Sequence, residues 1–433
     1  MKPYDIFAIT APGLEPVCAA ELRSLDILPG HADIDAAAGD GGVAWRGDGR
    51  SLYRANLECR TASRIVIRAG TFRARTFAEL ERHTGRLDWS RLVRPDARVA
   101  LRVTCRKSKL YHEGAVAERI ERVLGTAVGA HVARAGAEHE AYPANVDPGD
   151  VVARNVVAPD NVSNSVDADS VADDDAAQLI TVRFLRDVCT ISIDASGALL
   201  HQRGYRQAVA KAPLRETLAA AMLLAAGYTG DAPLLDPMCG SGTIPIEGAL
   251  LARRIAPGLA NPDFAPRRYA FQDWPDHDER VWDDVVAAAR SRISPASPVP
   301  IHGRDRDAGA VTASRANAAR AGVADDVRFE QMPLSAVRPP PVSRDGGETA
   351  GHLITNPPYG VRVGERRALH ALYGAFGRLA REQFGGWTVA LLAADDGLAG
   401  TTGLPFKERF ATSNGGIAVR LLEATVPDAG SAA

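Results

Sequence analysis

From Pro213 to the end of the chain, short apolar runs of strand length alternate with segments of helix length, and no other feature constrains the fold as much. Strands are expected around Leu234-Leu235, Val299–His302, Val327–Glu330, His352–Thr355 and Trp387–Ala393. Helices are expected at Glu216–Ala226, Ile244–Ala252, Ala308–Ala321 and Ala368–Phe384. Strands joined through helices run parallel, and a parallel sheet must be covered on both faces. The last two runs, Arg409–Thr412 and Ile417–Glu423, flank Asn414-Gly415, a hairpin signal that predicts an antiparallel pair at the end of the chain.

The first 200 residues read differently. A strand at Tyr4–Thr10, a helix at Leu14–Leu25, an alternating strand at Arg98–Cys105 and a helix at Gly114–Leu124 precede two strands, Leu179–Leu185 and Val188–Asp194, joined at Arg186-Asp187. This is an α+β module. Charge divides it further, although the whole chain of 433 residues carries a formal charge of only −2. Residues 50–134 hold 19 Lys or Arg against 8 acids, whereas residues 138–178 hold 10 acids and one Arg and lack helical or strand periodicity. The second stretch is expected to be a solvated insertion. The first is expected to meet a polyanion, with Arg106, Lys107 and Lys109 beside Tyr111 and His112, and Arg203 and Arg206 at the junction between modules, as candidate contacts to it.

Other classes are disfavoured. The five cysteines form no Cys-x-x-Cys pair, so neither a metal cluster nor a disulfide framework is expected. The longest uncharged stretch, Thr217–Gly230, has 14 residues, short of the roughly 20 that span a bilayer. Asp5 and Glu15 interrupt the start of the chain before an apolar run develops, so no secretory signal is expected and the location is read as cytoplasmic.

Three strand ends carry the chemistry. Leu234-Leu235 runs into Asp236-Pro237-Met238-Cys239-Gly240-Ser241-Gly242-Thr243, where glycines let a ligand approach the backbone and helix amides face an anionic group. Asp236 is positioned for an ammonium group. Farther on, Asp305 in Ile301–Asp307 ends the neighbouring strand, where a carboxylate can accept from ribose hydroxyls, while Asp307 suits a helix cap. The third motif, Asn356-Pro357-Pro358-Tyr359-Gly360, follows the His352–Thr355 strand. Two prolines remove two amide donors, leaving the Asn356 amide oxygen and the Pro358 carbonyl to accept from an exocyclic amine while Tyr359 stacks on its ring. Cys239 reads as a packing residue and His201 as a hydrogen-bonding residue at the junction.

These motifs resemble those of S-adenosylmethionine-dependent RNA methyltransferases that carry an N-terminal THUMP domain, most of all the bacterial 23S rRNA guanine-N2 methyltransferase branch. The resemblance extends to Leu200–Arg206, Ala212–Ala220, Tyr53–Leu57, Arg60–Arg64 and Ser108–His112, nearly the whole chain apart from the acidic insertion. It implies an α/β protein: a ferredoxin-like subdomain (1–65), a THUMP RNA-binding domain (66–200, with the insertion 138–178) and a Rossmann-like seven-stranded methyltransferase domain (201–433). It further implies S-adenosylmethionine as cofactor, held by Asp236, Gly240, Ser241, Gly242, Thr243, Asp305 and Arg306, with Asn356, Pro357, Pro358 and Tyr359 as the catalytic loop. The implied partner is RNA, ribosomal RNA first and transfer RNA second, with no metal and no membrane. Where the family carries an acid after the third strand, this chain has Pro333. Adenine-N6 methylation and a non-catalytic role in ribosome assembly remain as alternative readings.

Overall fold

The computed structural model describes residues 2–28, 38–39, 41–134, 177–207, 214–340, 350–359 and 366–427. Of the acidic stretch, residues 138–176 lie outside the described residues; Gln178, expected at its end, instead opens a strand. The described strands are β1 (Tyr4–Ile9), β2 (Ala38–Gly39), β3 (Gly42–Gly47), β4 (Arg64–Arg73), β5 (Arg98–Arg106), β6 (His131–Arg134), β7 (Gln178–Leu185), β8 (Val188–Asp194), β9 (Leu234–Asp236), β10 (Ile301–Asp305), β11 (Val327–Gln331), β12 (His352–Thr355), β13 (Thr388–Ala393), β14 (Lys407–Asn414) and β15 (Ile417–Thr425).

They form two sheets. The N-terminal sheet has eight strands in the order β2-β3-β1-β4-β8-β7-β5-β6. It runs without a break through the two units expected to meet at residue 65, because β4 straddles that position and pairs with both β1 and β8. The strand β4 and the helix Gly49–Glu58 were not anticipated from sequence; Asp48 starts that helix by accepting from the Ser51 amide. The Arg186-Asp187 turn between β7 and β8 has φ of 50° and 66°, the left-handed pair that a tight two-residue hairpin requires.

The C-terminal sheet has seven strands in the order β11-β10-β9-β12-β13-β15-β14. Its first five are parallel and the final hairpin is antiparallel. Neighbouring residues on one strand bury themselves on opposite faces, as a doubly covered sheet demands. Leu234, Ile354 and Leu392 join one core, while Leu235, Leu353 and Leu391 join a second with Tyr373 and Phe376 of the helix Arg366–Gln383. The hairpin loop is Gly415-Gly416, both with positive φ, rather than Asn414-Gly415; Asn414 is the last residue of β14 and pairs with Ile417. One further helix, Glu279–Ser291, occupies a stretch that the sequence reading left empty.

The two halves are stitched together. Tyr53 stacks on Phe271 at 4.5 Å, the Tyr4 hydroxyl donates to Asp276 at 2.7 Å, and Arg60 donates to the Ile255 carbonyl at 2.6 Å. Gly13, at φ 85°, lies so close to β14 that an added Cβ would stand 1.9 Å from the Ala411 carbonyl oxygen. The N-terminal module is therefore packed against the hairpin as well as against the helices.

Candidate cofactor and base site

The parallel strands β9, β10 and β12 end side by side, and their loops emerge at a point where the order of the sheet reverses, the crevice in which open α/β sheets hold ligands. Asp236 closes β9, is 1% exposed, and accepts from the Met238 amide at 3.1 Å. Burial pushes its carboxyl up to about 7, against the opposing pull of the Thr355 hydroxyl and the Met238 amide.

The glycine loop that follows is pinned at every residue. Cys239 donates its amide to the Arg304 carbonyl at 2.9 Å, and Gly240 donates to Asp305 Oδ2 at 3.0 Å. Ser314 donates to the Gly240 carbonyl at 2.8 Å and Asn317 to the Ser241 carbonyl at 2.9 Å. Gly242 takes φ 83° just before the helix Thr243–Ala252, and a Cβ there would stand 3.0 Å from both Phe329 and Ser314. Glycine is required for that turn and that contact. Ser314 and Asn317, on the helix Ala308–Arg320, were not singled out in the sequence. They are ordinary helix positions until the fold lays them under the loop.

Asp305 ends β10, and its second oxygen accepts from the Asp307 amide at 2.9 Å. Asp307 caps its helix as expected, accepting from Ala310 at 2.8 Å. The Arg306 side chain is exposed at the same tip. Cys239 is buried, and burial raises its thiol well above the usual range. Beside Pro333, the Met332 amide donates to the Asp305 carbonyl at 2.8 Å.

The Asn356–Tyr359 loop leaves β12 beside this cradle; Gly360 lies outside the described residues. Asn356 Oδ1 is buried and has no hydrogen-bond partner among the described residues. Pro357 is buried and Pro358 exposed. The half-buried Tyr359 hydroxyl accepts from Asn414 Nδ2 at 2.7 Å, which ties the ring to the terminal hairpin. Asn414 was missed because an Asn-Gly pair reads first as a turn.

The expected RNA contacts divide. Arg106, Lys107 and Lys109 are exposed, and Tyr111 beside them is 77% exposed. Their loop is held to the β7–β8 turn, where the Lys109 amide donates to Asp187 at 2.7 Å and the Asp187 amide donates to Ser108 at 2.9 Å. Arg203 and Arg206 are corrections. The Arg203 side chain is 2% exposed and faces Glu247 at 3.5 Å, so RNA has no access to it. Arg206 is 13% exposed, pairs with Glu216 at 3.1 Å and donates to the Leu214 carbonyl at 2.8 Å. Both hold the junction together. His201 is also buried there, and burial lowers its imidazole to about 3, so it stays neutral through the physiological range.

Comparison with known proteins assigns the family. Residues 203–421 match UPF0020, the RMKL-like methyltransferase domain, and residues 5–66 match the RlmL ferredoxin-like domain. The chain belongs to the RMKL-like methyltransferase family. Family membership brings S-adenosylmethionine with it as methyl donor. Within the family, a Synechocystis protein named as a candidate RNA methyltransferase, slr0064, is 30% identical over 98% of this chain and 96% of its own length. The ribosomal RNA large subunit methyltransferase K/L of Syntrophotalea carbinolica is 33% identical over 97% of this chain, which spans only 53% of that protein. Among solved structures, SMU.472, a candidate methyltransferase complexed with SAH, superposes with a TM-score of 0.77 at 28% identity, covering 98% of this chain and 99% of that one. Among the described residues, no helix is long and apolar enough to cross a membrane, and no group of three or more His, Cys, Asp or Glu could hold a metal ion.

Proposed function

We propose that the protein is an RNA methyltransferase acting on the exocyclic N2 amine of a guanine in 23S ribosomal RNA, in the cytoplasm. The observation that carries this reading is the buried Asn356 Oδ1, without a partner among the described residues, beside two prolines that offer no N–H. Such a loop offers two acceptors, the Asn356 amide oxygen and the Pro358 carbonyl. It suits an amine, which brings hydrogens, and disfavours guanine N7, which is itself an acceptor. The N-terminal match to the RlmL ferredoxin-like domain favours ribosomal RNA, and residues 66–200 are read as the THUMP domain that would carry it.

The cradle fits S-adenosylmethionine. Asp236 receives the ammonium of the methionine part, the Gly240–Thr243 turn its carboxylate end, and Asp305 its ribose, with Arg306 at the rim. The bound cofactor supplies a methyl group on a positively charged sulfur. Asn356 and the Pro358 carbonyl accept from the target amine and orient it, Pro357 fixes the loop, and Tyr359, held by Asn414, stacks on a base that has left its helix at a cost of a few kcal/mol. Catalysis by orientation needs neither a protein nucleophile nor a metal.

Labelled methyl transfer to total RNA, followed by nucleoside analysis, tests the assignment. Label in N2-methylguanosine of the large ribosomal RNA is expected. Label in N6-methyladenosine, N7-methylguanosine or transfer RNA would overturn it.

The state of Asp236 gives a second expectation. A carboxyl pushed up to about 7 is neutral below that pH and cannot pair with an ammonium group. Affinity for S-adenosylmethionine is expected to fall by about tenfold per pH unit below about 7 and to level off above it. Asp236→Asn should weaken binding and flatten that profile in calorimetry. For the free protein the sign is opposite: with the folded pKa raised above an unfolded value of about 3.9, this residue's contribution to stability is complete below that value and is lost as pH rises toward 7.

A further inference from the structure

Successive side chains of β4, β8, β7 and β5 point to alternate faces of the N-terminal sheet. Ile67, Ile193, Ile180 and Leu101 share the face that is buried in the core. The opposite face follows from the register, in three rows that cross the four strands. Arg73 and Arg106 end the first row, Arg183 stands in the second, and Arg68 and Arg102 end the third, past the bulge between Arg68 and Gly70. The other positions are Thr or Ser hydroxyls, apart from Val188 and Leu185 at one end. None of the twelve is a carboxylate.

A solvated sheet face ordinarily mixes charges, because opposite charges across strands stabilise and like charges oppose folding. Here Arg68, Arg73, Arg102 and Arg183 form no salt bridge with a described carboxylate. Asp187, at the nearby turn, is taken by Arg75 at 3.0 Å and by the Lys109 amide. The Arg68 guanidinium lies 3.7 Å over the Phe7 ring. Its pKa is lowered, first by burial and then by the charge of Arg183, so two cations are held near one another with no anion paired to them among the described residues.

We propose that this face binds the phosphodiester backbone of the RNA substrate, with arginine forks on phosphates and hydroxyls as neutral donors between them. The inference rests on the RNA reading above. Four strands span about 14 Å from first to last, enough for more than one phosphate. Lys107, Lys109 and the exposed Tyr111 extend the face at the Arg106 end, where an aromatic ring offers a stacking platform to an unpaired base.

The test compares full-length wild type, the triple variant R68Q/R102Q/R183Q and its charge-keeping counterpart R68K/R102K/R183K. Affinity for protein-free large-subunit ribosomal RNA is titrated from about 50 to 300 mM salt, and S-adenosylmethionine binding is followed by calorimetry. The Gln variant is expected to bind RNA at least about tenfold more weakly, with a salt slope reduced by about 2 to 3, and to bind the cofactor as wild type does. The Lys variant should keep most of the slope. Unchanged RNA affinity and slope in the Gln variant, or an equal loss in the Lys variant, would overturn the proposal while leaving the function intact. A wild type that binds no RNA in a salt-dependent way would remove the RNA reading itself.

Discussion

Replacing Asn356 by Ala is expected to lower the rate of methyl transfer by about 10²–10³-fold while S-adenosylmethionine affinity stays within about twofold. Among the described residues its buried oxygen has no partner, so its removal strands no hydrogen-bonding group there and should leave the fold intact. What it removes, on the proposed mechanism, is the acceptor that orients the target amine. The cradle around Gly240 and Asp305 makes its hydrogen bonds without Asn356, which is why cofactor affinity should persist. Asn414→Ala provides a graded companion. It deletes the bond that steadies the Tyr359 hydroxyl and should raise KM for RNA more than it lowers kcat, because the ring remains but is no longer fixed. Wild-type turnover in Asn356→Ala would sink the mechanism.

The second large effect concerns stability. Arg203→Ala is expected to cost about 3–5 kcal/mol, read as a fall in the denaturant midpoint of the first unfolding transition. Glu247 is fully buried, and its Oε1 accepts from Arg203 Nε at 3.5 Å and from the Tyr205 hydroxyl at 3.0 Å. Arg203 also donates to the carbonyls of Leu200 and Arg60, the latter at 2.7 Å, so one guanidinium joins the linker, the N-terminal module and the helix Thr243–Ala252. Removing it leaves a buried carboxylate that has lost its hydrogen-bonded counter-charge and keeps only the field of Arg60. The apolar double variant R203M/E247L, which leaves neither charge behind, should recover most of the loss. If Arg203→Ala unfolds at the wild-type midpoint, the junction does not depend on this pair.

The strand-helix alternation after Pro213 was legible because its causes are local. Apolar runs, a glycine turn and a carboxylate at a strand end are written in consecutive residues, and His352–Thr355 forms the strand the sequence predicts. Asp307 could be named as a cap because a cap binds within its own first turn. The helix Glu279–Ser291 is equally local in its causes, with Asp278 capping it and Trp282, Val285, Val286 and Ala289 buried on one side.

What sequence could not decide is which of two chemically identical residues is buried. Arg203 and Arg183 are both arginines near charged neighbours. One closes a core ion pair with a residue 44 positions away, and the other stands exposed on a sheet face opposite Thr190 and Thr104. Strand register sets that difference, and register is fixed by pairing between segments far apart in the chain. The same holds for Asn414, which reaches Tyr359 across 55 residues. Sequence by itself determined the fold class and the strand ends at which the candidate site lies. Tertiary structure alone decided which cations face solvent, because burial and pairing depend on neighbours the chain brings together only when it folds.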